Sequence, residues 1–92
     1  MTNLNVEYAF NRLELAIQIE DKPFIIECCN ELVALDELSA ETITVLHQIL
    51  ALCHLNAQCC LKSFQSIQKS IQLSVDDRNQ LILEIIKAKI ME

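Results

Sequence analysis

The sequence predicts an all-α fold. Apolar residues recur with a helical period along almost the whole chain. The 92 residues contain no Gly and one Pro, and each break in the periodicity is short and holds a residue able to cap a helix. Turn-rich β architectures need Gly and Pro and are excluded. An apolar share of 52% with a net charge of only −6 excludes a disordered chain. A length near ninety suits one helical-repeat domain over 1–92, with a core just large enough to stabilise itself.

The first helix is expected from about Asn5 to Ile19, with an Asn or Thr near its start and Phe10, Leu13 and Ile17 on one face. Glu20-Asp21-Lys22 interrupts it. Asp21 can cap the second helix, and Pro23 falls in the first turn, where a missing N–H does no harm. That helix carries Ile25, Ile26, Cys29, Leu32 and Val33 and ends at the polar Asp36-Glu37. Ser39 caps the third helix, whose first turn holds Glu41 against the helix dipole. Leu55-Asn56-Ala57 is the next break, with Asn56 as the cap of a fourth helix holding Cys60, Leu61, Phe64 and Ile67. Ser74, with Asp77 three residues on, forms an acid version of the capping box before Leu81, Ile82, Ile85 and Ile86.

Joints this short fold neighbouring helices back antiparallel. Shifted by 35, the chain overlays itself: Leu15-Ala16 on Leu50-Ala51, Leu38-Ser39 on Leu73-Ser74, and Asp21 on Asn56. Caps, turn and core positions recur together. The expected architecture is therefore five antiparallel helices in tetratricopeptide-like hairpins, at about 5–35 and 40–72, with a final helix at about 75–91. Five helices of coincidentally similar spacing remain the alternative.

The third helix is the most informative segment. Leu46, Leu50 and Cys53 form one apolar stripe, and Val45, Ile49 and Leu52 form a second beside it. A surface helix needs one stripe. Two stripes mean either a centrally buried helix or one that offers a stripe to a partner. In a repeat array the first helix of each hairpin lines the concave wall, so Val45, Ile49 and Leu52 would join Phe10 and Ile17 as partner-binding residues. Gln48, Gln58, Gln65, Gln68, Gln72 and Gln80, with the serines of the fourth helix, read as a polar surface or an interface rim. Glu14, Glu20, Asp21 and Glu27 make the first hairpin acidic, and most basic residues fall in the second half.

Other chemistry finds no footing. No Gly-rich loop can hold a phosphate, and no paired carboxylates sit in an apolar pocket, so no catalytic residue and no cofactor is expected. Scattered Lys and Arg do not suit nucleic acid. Five cysteines, an odd number at 28, 29, 53, 59 and 60, argue against a disulfide framework and lack zinc-finger spacing. They are expected in the core as small hydrophobes, with a metal or redox role for them and for His47 and His54 as the lesser reading. The longest apolar stretch, Ile43–Leu55, is too short and too often broken to cross a membrane. Met1-Thr-Asn-Leu-Asn lacks the pattern of a signal peptide, so the expected location is the cytoplasm.

The segment Val45 to Leu61, read as helix, short turn at Asn56 and helix with Cys60-Leu61 at a small-plus-Leu position, resembles the co-chaperones of type III secretion needle subunits (the YscG and EscG kind). The resemblance implies a cytosolic chaperone that holds a secreted, self-assembling needle subunit together with a second small helical chaperone. It masks an amphipathic helix of the subunit in an apolar groove, without ATP or metal. From the residues alone, a self-associating helical regulator or inhibitor, acting as a homodimer, stays open.

Overall fold

A computed structural model describes residues 4–35 and 37–91 of the protein and holds five helices: α1 (Leu4–Gln18), α2 (Lys22–Val33), α3 (Ala40–Asn56), α4 (Cys60–Leu73) and α5 (Asp77–Ile90). No strand occurs among the described residues, and the fold class is all-α. The Thr or Asn cap expected before α1 and Asp36 lie outside the described residues. The chain divides into two compact units: residues 1–38, with α1 and α2, and residues 39–92, with α3, α4 and α5.

Two of the expected caps form. Asp21 accepts from the Phe24 amide at 3.2 Å, and Ser39 accepts from the Thr42 amide at 3.2 Å. Each satisfies one of the amides that a helix start leaves without an intrahelical acceptor. The other two caps differ from expectation. Asn56 is the last residue of α3, and α4 is capped at Cys59, whose side chain bonds no helix amide. Ser74 closes α4 instead of opening α5; Asp76 takes that role and accepts from the Arg78 amide at 2.9 Å. A carboxylate two residues closer to the helix competes better for the free amides than a hydroxyl further out.

The two hairpin joints share one geometry. In the first, Glu20 donates to the Ile17 carbonyl and Asp21 to the Ala16 carbonyl, both at 3.1 Å. In the second, Gln58 donates to Leu55 at 3.0 Å and Cys59 to His54 at 2.8 Å. This double closure of the helix end places Glu20 at φ 56° and Gln58 at φ 62°, the left-handed region that Gly normally occupies. The joints are 38 residues apart, not 35. At that spacing Leu13, Ile25, Cys29 and Leu32 correspond to Ala51, Ser63, Ile67 and Ser70, and all eight are buried. The caps Ser39 and Asp76 stand 37 apart. The hairpin repeat is thus longer than the residue overlap suggests, because backbone geometry and not side-chain identity carries it.

In the first unit α1 and α2 pack on each other, and Arg12 pairs with Glu31 while lying 5.3 Å from the Phe24 ring centre. The buried stripe of α1 is Ala9, Leu13 and Ala16. Of the face expected there, only Leu13 is buried; Phe10 is half-buried and Ile17 exposed. The small Ala9 and Ala16, at i and i+7 on either side of Leu13, permit the close approach that bulky side chains prevent. On α2, Ile25, Cys28, Cys29 and Leu32 are buried.

The second unit has an apolar part and a polar part. Ala51 and Leu55 of α3, Ile67 of α4, and Ile82 and Ile86 of α5 form one buried cluster, with Cys60, Phe64 and Leu83 packed against it. Leu61, Leu81 and Ile85, expected in the core, are exposed. Serines replace bulk along α4. Ser63 donates to the Ala51 carbonyl at 2.6 Å, and Ser70 approaches the Thr44 carbonyl at 3.3 Å. Asn79 is the hub: its Oδ1 accepts from Gln48 Nε2 at 2.8 Å and from the Ser70 hydroxyl, while its Nδ2 donates to the Ser74 carbonyl at 3.2 Å. The second Nε2 proton of Gln48 goes to Asp76 Oδ2 at 3.2 Å. One buried amide therefore joins α3, α4 and α5. Gln48, Ser63 and Ser70, read from sequence as polar surface or interface rim, are interior because each finds a partner there.

Replacing Gln58 by Gly relieves the left-handed strain and is expected to raise unfolding stability by roughly 0.5–1 kcal/mol, whereas Gln58→Val lowers it. Urea denaturation of the three proteins measures both. Asn79→Leu strips acceptors from Gln48 and Ser70 and is expected to cost about 1–3 kcal/mol. The same titration, repeated with Gln48→Met and Ser70→Ala added, is expected to recover part of that loss.

Candidate functional site

The solvent-facing part of α3 is narrow. Thr44, Leu46, His47, Gln48, Leu50, Ala51, Cys53 and Leu55 are all buried, so more than half of the helix circumference is closed. What is left is the strip Val45, Ile49 and Leu52, half-buried at the first two and 40% exposed at Leu52. Spacing of i, i+4 and i+7 keeps the three on one line.

α5 runs beside that line. A hollow of about 400 Å³ is lined by Glu41, Thr44 and Val45 near the start of α3 and by Asp76 and Arg78 at the start of α5. A second, of about 310 Å³, is lined by Leu55 and Asn56 at the end of α3, by Cys60, and by Lys89 near the end of α5. Starts sharing one hollow and ends sharing the other mean that α3 and α5 lie side by side in the same direction. Arg78, Ile82, Ile85 and Lys89 follow the same i, i+4, i+7, i+11 line on α5, with Ile82 buried and Ile85 40% exposed. The result is a shallow apolar track along Val45, Ile49 and Leu52, flanked on α5 by the line that runs from Arg78 through Ile85 to Lys89, with a hollow at each end.

Electrostatics fix the first hollow. The Arg78 side chain donates through Nε and Nη2 to Asp76, and its own amide does so too, which holds the Asp76 carboxyl well below the usual carboxylate range. Arg78 is itself mostly exposed, so solvent screens the pair. The pair orients the Asp76 carboxylate that caps α5 and accepts from Gln48.

The predicted site residues fall in both units. Val45, Ile49 and Leu52 come together on α3; Phe10 and Ile17 form a separate pair, seven residues apart, on α1 of the first unit. Sequence reading missed Ile85, Arg78 and Lys89 as neighbours of the α3 strip, although the matching period of α5 is the signal for them. Among the described residues no group of three His, Cys, Asp or Glu could hold a metal ion. All five cysteines are free thiols. Cys28, Cys29 and Cys53 are buried, whereas Cys59 and Cys60, expected in the core, are only half-buried because the α3–α4 joint lies between helices and solvent. Burial pushes the Cys28 thiol up, away from a reactive thiolate. The track offers no nucleophile with a paired base. It can bury an apolar side chain, and fully covering one the size of Leu52 contributes up to about 2 kcal/mol.

No family model, curated protein or solved structure matches this chain. No helix among the described residues is long and apolar enough to cross a membrane.

His47 is a buried imidazole of α3. Burial, and then the charge of Lys69, pushes its pKa below the ordinary value, and its Nδ1 has no hydrogen-bond partner. His54 is shifted the same way by burial and Lys62. Below about pH 6.5 the unfolded chain binds protons that the folded chain refuses, so stability present above that pH is lost as the pH falls. The urea midpoint is expected to drop between neutral pH and pH 5, and His47→Phe is expected to flatten the drop.

Proposed function

We propose that the protein is a cytoplasmic chaperone, and not an enzyme, whose α3 track masks an amphipathic helix of a secreted, self-assembling needle subunit, in a complex with a second small helical chaperone. The observation that carries this reading is the open strip of α3. A helix buried around most of its circumference leaves three apolar side chains, Val45, Ile49 and Leu52, on one open line, and Ile85 lies on the α5 line whose ends, Arg78 and Lys89, reach the two hollows. The walls are rigid, since the buried Gln48–Asn79–Ser70 network ties both helices to α4. An apolar helix laid into such a track exchanges exposed surface on both partners for a shared interface. Phe10 and Ile17 on α1 extend the partner-binding set of this reading. The needle-subunit identity of the partner rests on the resemblance of Val45–Leu61 to the needle-subunit co-chaperones.

Ile49→Asp and Leu52→Asp place a carboxylate where the partner helix would lie, while Leu50→Asp places one in the core, where the side chain is 4% exposed. Co-expressed with a tagged needle subunit and its second chaperone, both strip variants are expected to stay helical by circular dichroism and to lose capture at least about tenfold. Leu50→Asp is expected to unfold, at a cost above about 4 kcal/mol. Full capture by Leu52→Asp would refute the track. A stable dimer of the chain alone, broken by Leu52→Asp, would give the strip to a second copy instead.

A further inference from the structure

We infer that the protein has a second docking face, the outward stripe of Tyr8 and Leu15 on α1 continued by Ile19 in the turn that follows, and that its occupant is an amphipathic helix of a partner protein with Lys or Arg flanking the apolar residues. The inference uses neither the α3 strip nor the reading proposed for it.

The stripe is apolar and open. Tyr8, Leu15 and Ile19 are 65%, 51% and 56% exposed. Spacing of seven and then four residues aligns them on one side of α1, about a quarter turn from the buried Ala9, Leu13 and Ala16. Scattered exposed apolar residues need no explanation, but two large ones in register on α1, with Ile19 continuing their line at its C-terminal joint, make a line of the kind that helix-in-groove or helix-on-helix docking covers.

Charge decides what covers it. Residues 1–38 contain eight acidic and two basic residues, a net of −6; residues 39–92 contain five of each, a net of zero. The whole net charge of the protein therefore resides in the unit that carries this stripe. Glu7 and Glu14 are exposed and run parallel to it along α1. Arg12, the one basic residue of α1, is committed to Glu31 and to the Phe24 ring. A second copy of the chain would bring −6 against −6, and anionic lipid would be repelled in the same way. A helix with a basic flank instead gains steering and complementarity from the same carboxylates.

The test uses the full-length protein and two labelled helical peptides with the same leucine stripe, one flanked by Lys and one by Glu, read by fluorescence anisotropy. The Lys-flanked peptide is expected to bind in a salt-sensitive manner, and the Glu-flanked peptide to bind at least about tenfold more weakly. Leu15→Gln and Tyr8→Gln, both at exposed sites and checked for helicity by circular dichroism, are each expected to weaken binding about tenfold. Leu61→Gln, at an exposed position of the second unit that belongs to neither face, is expected to leave it unchanged. Absence of binding, equal binding of both peptides, or indifference to both α1 substitutions overturns the inference. So does loss of binding through Leu52→Gln alone, which would move the peptide to the α3 track. Sedimentation of the free protein as a dimer that Leu15→Gln dissociates would assign the face to a second copy and also overturn it.

Discussion

The arrangement of the second unit depends on one buried amide. Asn79 can satisfy its oxygen and nitrogen together only if Gln48 of α3, Ser70 of α4 and the Ser74 carbonyl stand where they do. Apolar side chains tolerate a slide of one helix along another with modest loss. Polar groups in a low-dielectric interior do not, because a slide leaves donors and acceptors without partners. The apolar cluster of Ala51, Leu55, Ile67, Ile82 and Ile86 supplies cohesion, and the hub selects the register. The parallel course of α3 and α5 follows, and with it the track between them.

Charge and surface are divided along the chain in the same modular way. The first unit holds all of the net charge and an open stripe of large apolar residues; the second is neutral and holds the narrow strip of α3. An acidic surface and a neutral one favour partners of different charge.

Much of the fold is legible in the sequence, and the reasons for the misreadings are physical. Asp21, Ser39 and the period of each helix announce the elements, because a cap beside a regular apolar stripe is a local signal. The repeat length is not local. At a spacing of 35, similar residues coincide; at 38, identical backbone joints coincide, but their left-handed positions hold Glu20 and Gln58, and no Gly marks them. Gln48, Ser63 and Ser70 read as surface because polarity alone does not reveal a waiting partner. The strip Val45, Ile49 and Leu52 was legible as a second stripe, since a helix with apolar residues on two lines must use both. Ile85 is harder to single out, because α5 carries five large apolar residues between Leu81 and Ile86 and only the line through Arg78, Ile82 and Lys89 marks it.

The bare start of α4 has a consequence for how the second unit breathes. Cys59 caps nothing with its side chain, no acidic residue stands in the first turn, and Lys62 points its charge at the positive end of the helix dipole. The joint before it carries the strained Gln58. At the other end of α4, Ser70 is locked into the hub. Local opening therefore begins at Cys59–Lys62 and runs toward the hub, so amide hydrogens there exchange long before those near Ser70. Fraying that begins there stops at Ser63, because its bond to the Ala51 carbonyl and the buried Ile67 one turn on fasten α4 to the apolar cluster.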